Sequence, residues 1–416
     1  MRPILFPMLE MCSFTSIETS VYTPSAICCS HYGAGNCRIG VSMPIEIRRV
    51  KTARDLRAFV KFPFSVFKGN TCWVPPIFAD EFNTLSKAKN PAFEFSEAEY
   101  WLAYKDGKPA GRIAALINQR YIEKWGNRYG RFGWVDFIED FDVAQALFAT
   151  AEGWLRDKGM VGINGPMGFT DIDKEGLLIE GFDQLGTMPM IYNHPYYPEF
   201  IERLGYRKDV DWLEYEVKVP QEIPEKVLRV QNLISQRTGM HIYEWKTPAE
   251  LKRKFAKPIF ALLDEAYAKL YGTTPLSEKQ VQTYVDQYLS FADPRFIKVV
   301  VDKDDALVSF GLAFPSLSRA LQKSGGRFFP FGWIHLLKAM RHPAGIDLLL
   351  IAVNPDQKGA GAVAFLMTAL IESCRKAGVT SAETSGELET NVEVQSLWKS
   401  YEHRQHKRRR AYLKML

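Results

Sequence analysis

The order of secondary structure that the sequence predicts occurs twice along this 416-residue chain. Each half gives a strand and a helix, then a hairpin with an acidic turn, and later a strand, a helix, a strand, a short helix and a closing strand. The hairpin turns lie at Asp106 and Asp304, 198 residues apart (304 − 106), and the closing strands align at Tyr215 and Tyr412, 197 residues apart (412 − 215). Two nearly equal offsets favour a duplicated α/β unit over coincidence.

The two halves are predicted to be separate domains. A single core seldom grows beyond about 250–300 residues, so the length of this chain favours two domains. The boundary falls in a Pro-spaced polar segment, which divides the chain into 43–219 and 225–416. The helices that start at Val143 and Ala362 are 219 residues apart (362 − 143), so we expect an insertion in the second half before its helix.

Residues 1–42 show no periodic pattern and are interpreted as an unstructured or misassigned N-terminal extension. Pro, Ser, Thr, Gly and four of the six cysteines replace the alternation that begins after Met43, which we predict to be the natural start. A zinc site in this extension is disfavoured, because the cysteines lack paired C-x-x-C spacing.

Composition and charge exclude several classes of protein. A hydrophobic content of 46% excludes wholesale disorder, and no apolar stretch approaches the roughly 18 residues that a membrane-spanning helix needs. Residues 398–416 contain seven Lys/Arg and one Glu, which is a net charge of +6. Because the whole chain carries +5, the rest of the chain carries −1 (5 − 6). No broad basic face for nucleic acid is implied. The two cysteines outside the extension suit a reducing cytoplasm, where we place the protein.

The most informative segment is a strand, a glycine-containing loop and a helix over 348–363. An apolar strand runs to Val353, and the loop Gln-Lys-Gly-Ala-Gly leads into a helix that starts near Ala362. Such a loop exposes backbone N–H groups, and the helix N-terminus adds partial positive charge, so the segment can cradle a phosphate or pyrophosphate. The P-loop spacing is absent, and Ala364 stands where a Rossmann fingerprint would have its third glycine.

This arrangement resembles the GNAT superfamily of acyl-CoA-dependent N-acyltransferases, specifically from Val353 to Gly378 and at Asn391, and within it the large two-lobed bacterial members. The resemblance implies an α/β (α+β GNAT-like) fold of two tandem lobes, each a mixed, mainly antiparallel sheet flanked by helices. It also implies that the loop binds the pyrophosphate of coenzyme A and that the strand edge at 349–353 pairs with the pantetheine arm. The acyl-CoA-binding residues would be Ile351, Val353, Gln357, Lys358, Gly359, Ala360, Gly361, Ala362, Val363 and Asn391, with no metal.

The sequence departs from the family pattern at two points. One glycine of the family loop is missing, and Trp398 stands where the family often has the tyrosine that protonates the leaving thiolate. Tyr401 or a water is therefore expected to take that role. In the first half the corresponding segment, 139–142, is acidic and glycine-free, and its three carboxylates would repel a pyrophosphate. We therefore expect the second lobe to bind the acyl donor and the first to lack a phosphate loop.

Carboxylates that could act as a general base cluster after a strand of the second half. An attacking amine must be neutral, so a carboxylate or its relayed water has to take a proton. Glu383 ends the strand, and Glu387 and Glu389 follow where strand ends face the ligand crevice of open α/β sheets. Glu383, Glu387 and Tyr401 are the candidate catalytic residues. Each glutamate could instead be a solvated loop residue, and Asn391 could be a helix N-cap.

The expected insertion combines aromatic residues with a basic amphipathic helix. The segment that begins at Phe328 and ends at Leu337 could pack between the lobes, wall an apolar tunnel or lie on an anionic membrane surface.

We therefore predict an enzyme, an acyl-CoA-dependent N-acyltransferase such as an N-acetyltransferase, with acyl-CoA as co-substrate and an amine-bearing small molecule or lipid as partner. Two alternatives remain open: a sphingoid-type lipid amine N-acyltransferase at the membrane surface, and a catalytically silent acyl-CoA sensor. A nucleic-acid-binding module that uses the basic run 404–410 would bind with steep salt dependence, and nucleic acid is not an expected partner.

Overall fold

The computed structural model describes residues 20–21, 44–223, 225–289, 292–355 and 361–416. The helices are α1 (Ala53–Lys61), α2 (Pro63–Val66), α3 (Phe78–Leu85), α4 (Gln119–Trp125), α5 (Phe141–Asp157), α6 (Tyr196–Arg203), α7 (Glu225–Thr238), α8 (Pro248–Tyr267), α9 (Glu278–Tyr288), α10 (Ser318–Ser324), α11 (Gly332–Arg341), α12 (Ala362–Ala377) and α13 (Val392–Trp398).

The strands are β1 (Ser20–Val21), β2 (Glu46–Arg49), β3 (Ser96–Lys105), β4 (Lys108–Asn118), β5 (Tyr129–Phe137), β6 (Gly162–Gly165), β7 (Leu177–Glu180), β8 (Arg207–Lys218), β9 (His241–Ile242), β10 (Ile297–Val301), β11 (Leu307–Pro315), β12 (Ile346–Val353), β13 (Ser381–Thr384), β14 (Glu387–Leu388) and β15 (His403–Met415).

Both predicted hairpins form. β3 and β4 pair through a tight turn in which Asp106 and Gly107 adopt φ of 53° and 70°, the left-handed region that Asp-Gly tolerates. β10 and β11 pair in the same antiparallel way around a turn in which Asp305 has φ of 62°. The repeated element order is therefore present in the folded chain.

The strands form one continuous mixed sheet that runs through both halves. Among the described residues, its order is β1-β2-β3-β4-β5-β6-β15-β8-β13-β12-β11-β10-β9. Most neighbours are antiparallel, and the two parallel pairs, β5 with β6 and β12 with β13, occupy equivalent places in the two halves. The predicted α/β fold with mixed, mainly antiparallel sheets is confirmed.

The closing strands of the two halves are exchanged. β15, from the end of the chain, pairs with β6 of the first half, while β8, which ends the first half, pairs with β13 of the second. β8 and β15 also pair with each other along most of their length. The division at 219–225 stays a prediction for independent folding, but in space each half is completed by a strand from the other.

Helices cover the sheet in both halves. In the first half, α5 places Val143, Leu147 and Leu155 in a core with the β3–β5 side chains. In the second half, α8 packs Phe255 and Ile259 against β10 and β11. These helices fix the sheet and leave the seam between the halves to be lined by α8, α9 and the loops that follow β6.

Only part of the predicted N-terminal extension is described. Ser20 and Val21 pair antiparallel with Ile47 and Glu46, and the rest of 1–42 lies outside the described residues. Within the described part of the chain, no helix combines the length and apolarity needed to cross a membrane.

Candidate active site between the two halves

β12 and β13 separate after a short parallel pairing. They are paired at three positions, Ile346–Leu348 with Ala382–Thr384, and the Ser385 backbone N–H then donates to Leu348 O at 2.9 Å. Beyond this point β12 continues to pair with β11 up to Val353, while the chain after Ser385 stays beside β8, with which both β13 and β14 pair. The edge of β12 at 349–353 therefore faces an opening in the sheet.

The helix that follows this edge, α12, starts at a glycine in the left-handed conformation. Gly361 has φ of 75°, and a Cβ there would overlap Ile234 Cδ1, so both backbone and space require glycine. No described side chain caps this N-terminus, which leaves its N–H groups and the helix dipole available to an anion. Ala362 and Val363 begin the helix, whereas Gln357, Lys358, Gly359 and Ala360 lie outside the described residues.

Glu387 lies in β14 with its side chain turned inward, and the residue is 9% exposed. The Trp398 indole N–H donates to Glu387 Oε1 at 2.7 Å, and Glu387 Oε2 is buried without a hydrogen-bond partner. Burial raises the pKa of Glu387 to about 7, against the opposing effect of the Trp398 hydrogen bond. A carboxyl group with this pKa exchanges a proton readily near neutral pH, as a general base must.

A cavity of about 1360 Å³ lies beside the open β12 edge and Glu387. Its lining includes 348–351 of β12, Glu387, Asn391 and Trp398, together with α8, α9 and the first-half segments 171–175 and 188–190. The Tyr267 hydroxyl, also in the lining, donates to Ile351 O at 3.0 Å and so binds to the open strand. This volume exceeds the roughly 300–1,000 Å³ typical of small-molecule pockets, and most of the lining residues are apolar or aromatic.

Solved structures with this architecture contain tandem GNAT domains. A tandem GNAT protein from the clavulanic acid biosynthesis pathway aligns with 89% of this chain and 98% of its own, with a TM-score of 0.51 and 13% identity. The chain has the tandem GNAT fold. A GCN5-related glucosamine N-acetyltransferase region of a fungal multi-domain β-N-acetylglucosaminidase also aligns, over 90% of this chain and 38% of that one (TM-score 0.52, 12% identity).

Two curated bacterial proteins are similar in sequence over nearly their whole length, and no family model matches the chain. Protein YghO of Escherichia coli K12 is 29% identical over 379 residues, which is 89% of this chain and 95% of that protein. The bacterial ceramide synthase of Caulobacter vibrioides is 25% identical over 385 residues, covering 89% of this chain and 98% of that protein.

The first GNAT lobe lacks the opening found in the second. After β6 the chain stays beside β5, where Met167 N–H donates to Phe132 O at 2.8 Å. A Cβ on Gly133 would overlap Met167 O, so the two segments are in close contact. At the start of α5, Asp140 accepts from the backbone N–H of Asp142 at 3.1 Å. This carboxylate occupies the helix N-terminus that an anion would need, as the acidic sequence at 139–142 suggested.

Glu383 lies outside the cavity lining. It is ion-paired with the fully buried Lys407 and lies 3.2 Å from His406 Nε2. Burial raises the pKa of Glu383, but His406 and Lys407 outweigh that effect and the pKa is lowered. A carboxyl group held ionised in this way is a poor proton acceptor, so a catalytic role for Glu383 stays a prediction that this geometry does not favour.

Glu214, Glu383 and His406 bring their potential ligand atoms within 4.8 Å of one another, a spacing that could hold a metal ion. The Lys407 ammonium lies 3.6 Å from Glu214 Oε2 and donates a hydrogen bond to Glu383, and Arg409 also pairs with Glu214, so cations already pair with both carboxylates. The cluster is best explained as the charged centre of the exchanged strands.

The other two predicted residues of this region have different surroundings. Tyr401 follows α13, lies outside the cavity lining, and has a pKa raised by burial. Asn391 lines the cavity but also caps α13, since its Oδ1 accepts from Val394 N at 3.4 Å. Both predicted binding residues on β12, Ile351 and Val353, pack against the cluster of Met240 and Phe365, and Ile351 but not Val353 lines the cavity.

The sequence analysis missed a charged segment of the first half that lines the cavity opposite the second lobe. Asp171, Asp173, Lys174 and Glu175 are partly exposed to the cavity. Burial raises the pKa of Asp173 to about 6 and raises that of Glu175, and it lowers the pKa of Lys174. The available signal was a charged run between two strands with no helical periodicity, which is usually a solvated loop.

Proposed function

We propose that the protein is an acyltransferase that moves an acyl group from a coenzyme A thioester to an amine in the cavity between its lobes. The observation that carries this proposal is that the open β12 edge and Glu387 line one cavity, while the uncapped N-terminus of α12 follows the same strand in the chain. The strand edge can pair with an amide-bearing arm, and the helix N-terminus can bind its pyrophosphate.

In the proposed reaction, the neutral amine attacks the thioester carbonyl carbon, so that a C–N bond forms and the C–S bond breaks. Glu387 Oε2, which has no partner within the described residues, accepts the proton that the amine loses. Because its pKa lies near 7, the protonated carboxyl can return that proton to the departing thiolate. This route supplies the proton that Tyr401 was expected to donate, and it agrees with the position of Trp398 as the hydrogen-bond donor that orients Glu387.

A silent acyl-CoA sensor would need the cavity but not a carboxyl of this kind. Burying an unpartnered carboxylate oxygen is unfavourable, and a binding protein would gain stability by replacing it. The orientation of Glu387 by Trp398 therefore favours an enzyme over a sensor.

The size of the cavity favours a lipid amine as the acceptor, taken up at a membrane surface. An acyl chain and a long-chain amine each gain about 0.8 kcal/mol for every methylene that they bury, and the apolar lining provides the surface. The similarity to a protein named bacterial ceramide synthase also supports a lipid amine as the acceptor. A sphingoid-type amine is the acceptor that we propose to test first.

The decisive experiment is calorimetric titration with acetyl-CoA and then palmitoyl-CoA, followed by a transfer assay with short and long-chain amines. We expect palmitoyl-CoA to bind more tightly and amide to form with the long-chain amine. If neither donor binds, the acyltransferase and sensor proposals both fail. If a donor binds without any amide formation from a range of amines, the sensor is the better explanation.

A further inference from the structure

A group of large apolar side chains is exposed along the segment that leads into α11. The group, called here the aromatic surface, consists of Phe328, Phe329, Phe331, Trp333, Ile334 and Leu337. Phe329 is 81% exposed and Phe331 is 68% exposed. Contiguous apolar side chains at this exposure are unusual on a protein surface unless something covers them.

The chain around the aromatic surface is positively charged without compensation. Between Asp305 and Asp347 the sequence has no Asp or Glu. The same stretch contains five cations, all exposed: Arg319, Lys323, Arg327, Lys338 and Arg341. Among the described residues, none of the five forms an ion pair. An apolar surface whose own segment carries cations and no acidic residue complements a layer that is apolar inside and anionic at its face.

We propose that the aromatic surface docks on a membrane rich in anionic lipids. The aromatic rings would enter the boundary between headgroups and acyl chains, where Trp is favoured. Each lysine or arginine near an anionic surface adds about 1 kcal/mol of attraction. A protein partner of opposite charge would instead need an acidic apolar face, and it is an outcome that the test below separates.

The aromatic surface is held firmly in place by the first half of the chain. Gln322 Nε2 in α10 donates to Thr71 O at 2.8 Å and to Trp73 O at 3.0 Å. Leu336 of α11 packs with Val74 in a small core that joins the two halves. The expectation that this insertion packs between the lobes is therefore met on one face of α11, while the other face is exposed.

The packed face of α11 also reaches the cavity. Leu336 and Met340 of α11 are in its lining, as is Phe328 of the aromatic surface. One short segment therefore contacts the proposed membrane on one side and the proposed reaction cavity on the other. Resting on the proposed function, this geometry gives a lipid amine a route from the bilayer into the cavity that avoids water.

The test is co-sedimentation of the full chain with vesicles of phosphatidylcholine alone or of phosphatidylcholine with phosphatidylglycerol. We expect binding to the anionic vesicles that weakens as salt is added. The variant Phe329→Ser/Phe331→Ser/Trp333→Ser should reduce this binding at least about tenfold, since each ring loses its burial in lipid. Lys338→Glu/Arg341→Glu should reduce it by a similar factor and should flatten the salt dependence.

The matched control is Leu228→Ser/Leu233→Ser, which removes exposed apolar side chains from α7 and should leave vesicle binding unchanged. Circular dichroism and thermal unfolding should be unaltered in every variant, because the substituted residues are exposed. The proposal is overturned if the wild type ignores anionic vesicles, if it binds neutral vesicles equally well, or if the aromatic variant binds as the wild type does. Acyl-CoA titration without vesicles tests the proposed function separately, so either idea can fail alone.

Discussion

The indole N–H of Trp398 donates a hydrogen bond of 2.7 Å to Glu387 Oε1, while the second carboxylate oxygen has no partner among the described residues. Trp398 stands where the family pattern led us to expect a tyrosine that protonates the leaving thiolate. In the structure it orients a carboxyl group instead. The chemistry proposed for this site therefore depends on one tryptophan and one glutamate from adjacent elements, α13 and β14.

Replacing Glu387 should remove catalysis and preserve donor binding. We expect Glu387→Gln to lower kcat by about 10²–10⁴-fold, the usual contribution of a general base, with little change in the Kd for acyl-CoA. Glu389→Gln is the matched control, because Glu389 directly follows β14 but pairs with Lys208 at 2.8 Å. Steady-state kinetics and calorimetry check both, and equal losses in the two variants would contradict the assignment.

The pH dependence should report the Glu387 carboxyl group. Activity should rise as the pH increases through about 7, because only the ionised carboxylate accepts a proton. Trp398→Phe removes a hydrogen bond that lowers the pKa of Glu387, so the rising limb of kcat/KM should move to higher pH. Trp125→Phe, at an exposed tryptophan, should leave the profile in place. A profile that does not move in Trp398→Phe would count against this pairing.

The buried Glu387 carboxyl group should make the folded protein less stable at pH 8 than at pH 4. Its folded pKa of about 7 lies above the ordinary value of 4.5, so the protein progressively loses stability as the pH rises from 4.5 to 7. One pKa unit is equivalent to about 1.4 kcal/mol, which gives a destabilisation of about 3 kcal/mol at pH 8. Glu387→Gln should therefore raise the free energy of unfolding at pH 8 and have little effect at pH 4. Urea unfolding at both pH values measures this difference.

Lys407 should be essential to the exchanged strands. It is fully buried between Glu214 and Glu383, so Lys407→Met would remove the cation that both carboxylates share and leave Glu214 with Arg409 and Glu383 with His406. Removing one partner from a buried ion pair typically destabilises a protein by about 3–5 kcal/mol. Lys399→Met, at an exposed lysine, should change stability by less than about 0.5 kcal/mol. Denaturant unfolding distinguishes the two, and partial recovery in Lys407→Met/Glu383→Gln would confirm the electrostatic cause.

Replacing Gly361 should weaken acyl-CoA binding by more than the backbone strain of the substitution explains. Gly361→Ala adds strain of about 1–2 kcal/mol at a positive φ and also overlaps Ile234, so it should displace the start of α12 and weaken acyl-CoA binding. Gly378→Ala at the other end of the helix has nearly the same φ, 73° against 75°, and no atom within 4 Å of the added Cβ. Gly378→Ala should therefore add similar backbone strain but leave the Kd for acyl-CoA unchanged. Calorimetric titration measures the Kd of both variants.

Local patterns in the sequence predicted most of the elements and their order, but they did not predict α3, α7 or β14. The Asp-Gly hairpin turn at 106–107 and the strand that runs into α12 depend on neighbouring residues, whose periodicity and backbone preferences are visible in the chain itself. The resemblance to the tandem GNAT fold followed from that order, and the structure confirms it.

For the residues of the candidate site, the sequence predicted the candidates but not their surroundings. The sequence made Glu383, at the end of a strand, and Glu387, just after it, equal candidates, but it contains no local signal for which of them meets Lys407 and which meets Trp398. That difference decides the direction of each pKa shift, because a buried ammonium stabilises a carboxylate and an apolar pocket destabilises it. The segment 171–175 reaches the cavity for a similar reason, since distant parts of the chain enclose it.

The exchange of β8 and β15 was decided by tertiary structure alone. Each strand has a pattern that suits either half, and a partner such as Glu214 for Arg409 lies 195 residues away in the chain. Strand pairing over that distance is selected by the side chains that meet and by the groups that must be neutralised when buried, and neither is written in the local sequence. The sequence by itself determined most of the elements and their order, whereas the packing of the two halves determined which of Glu383 and Glu387 has a pKa near neutral pH.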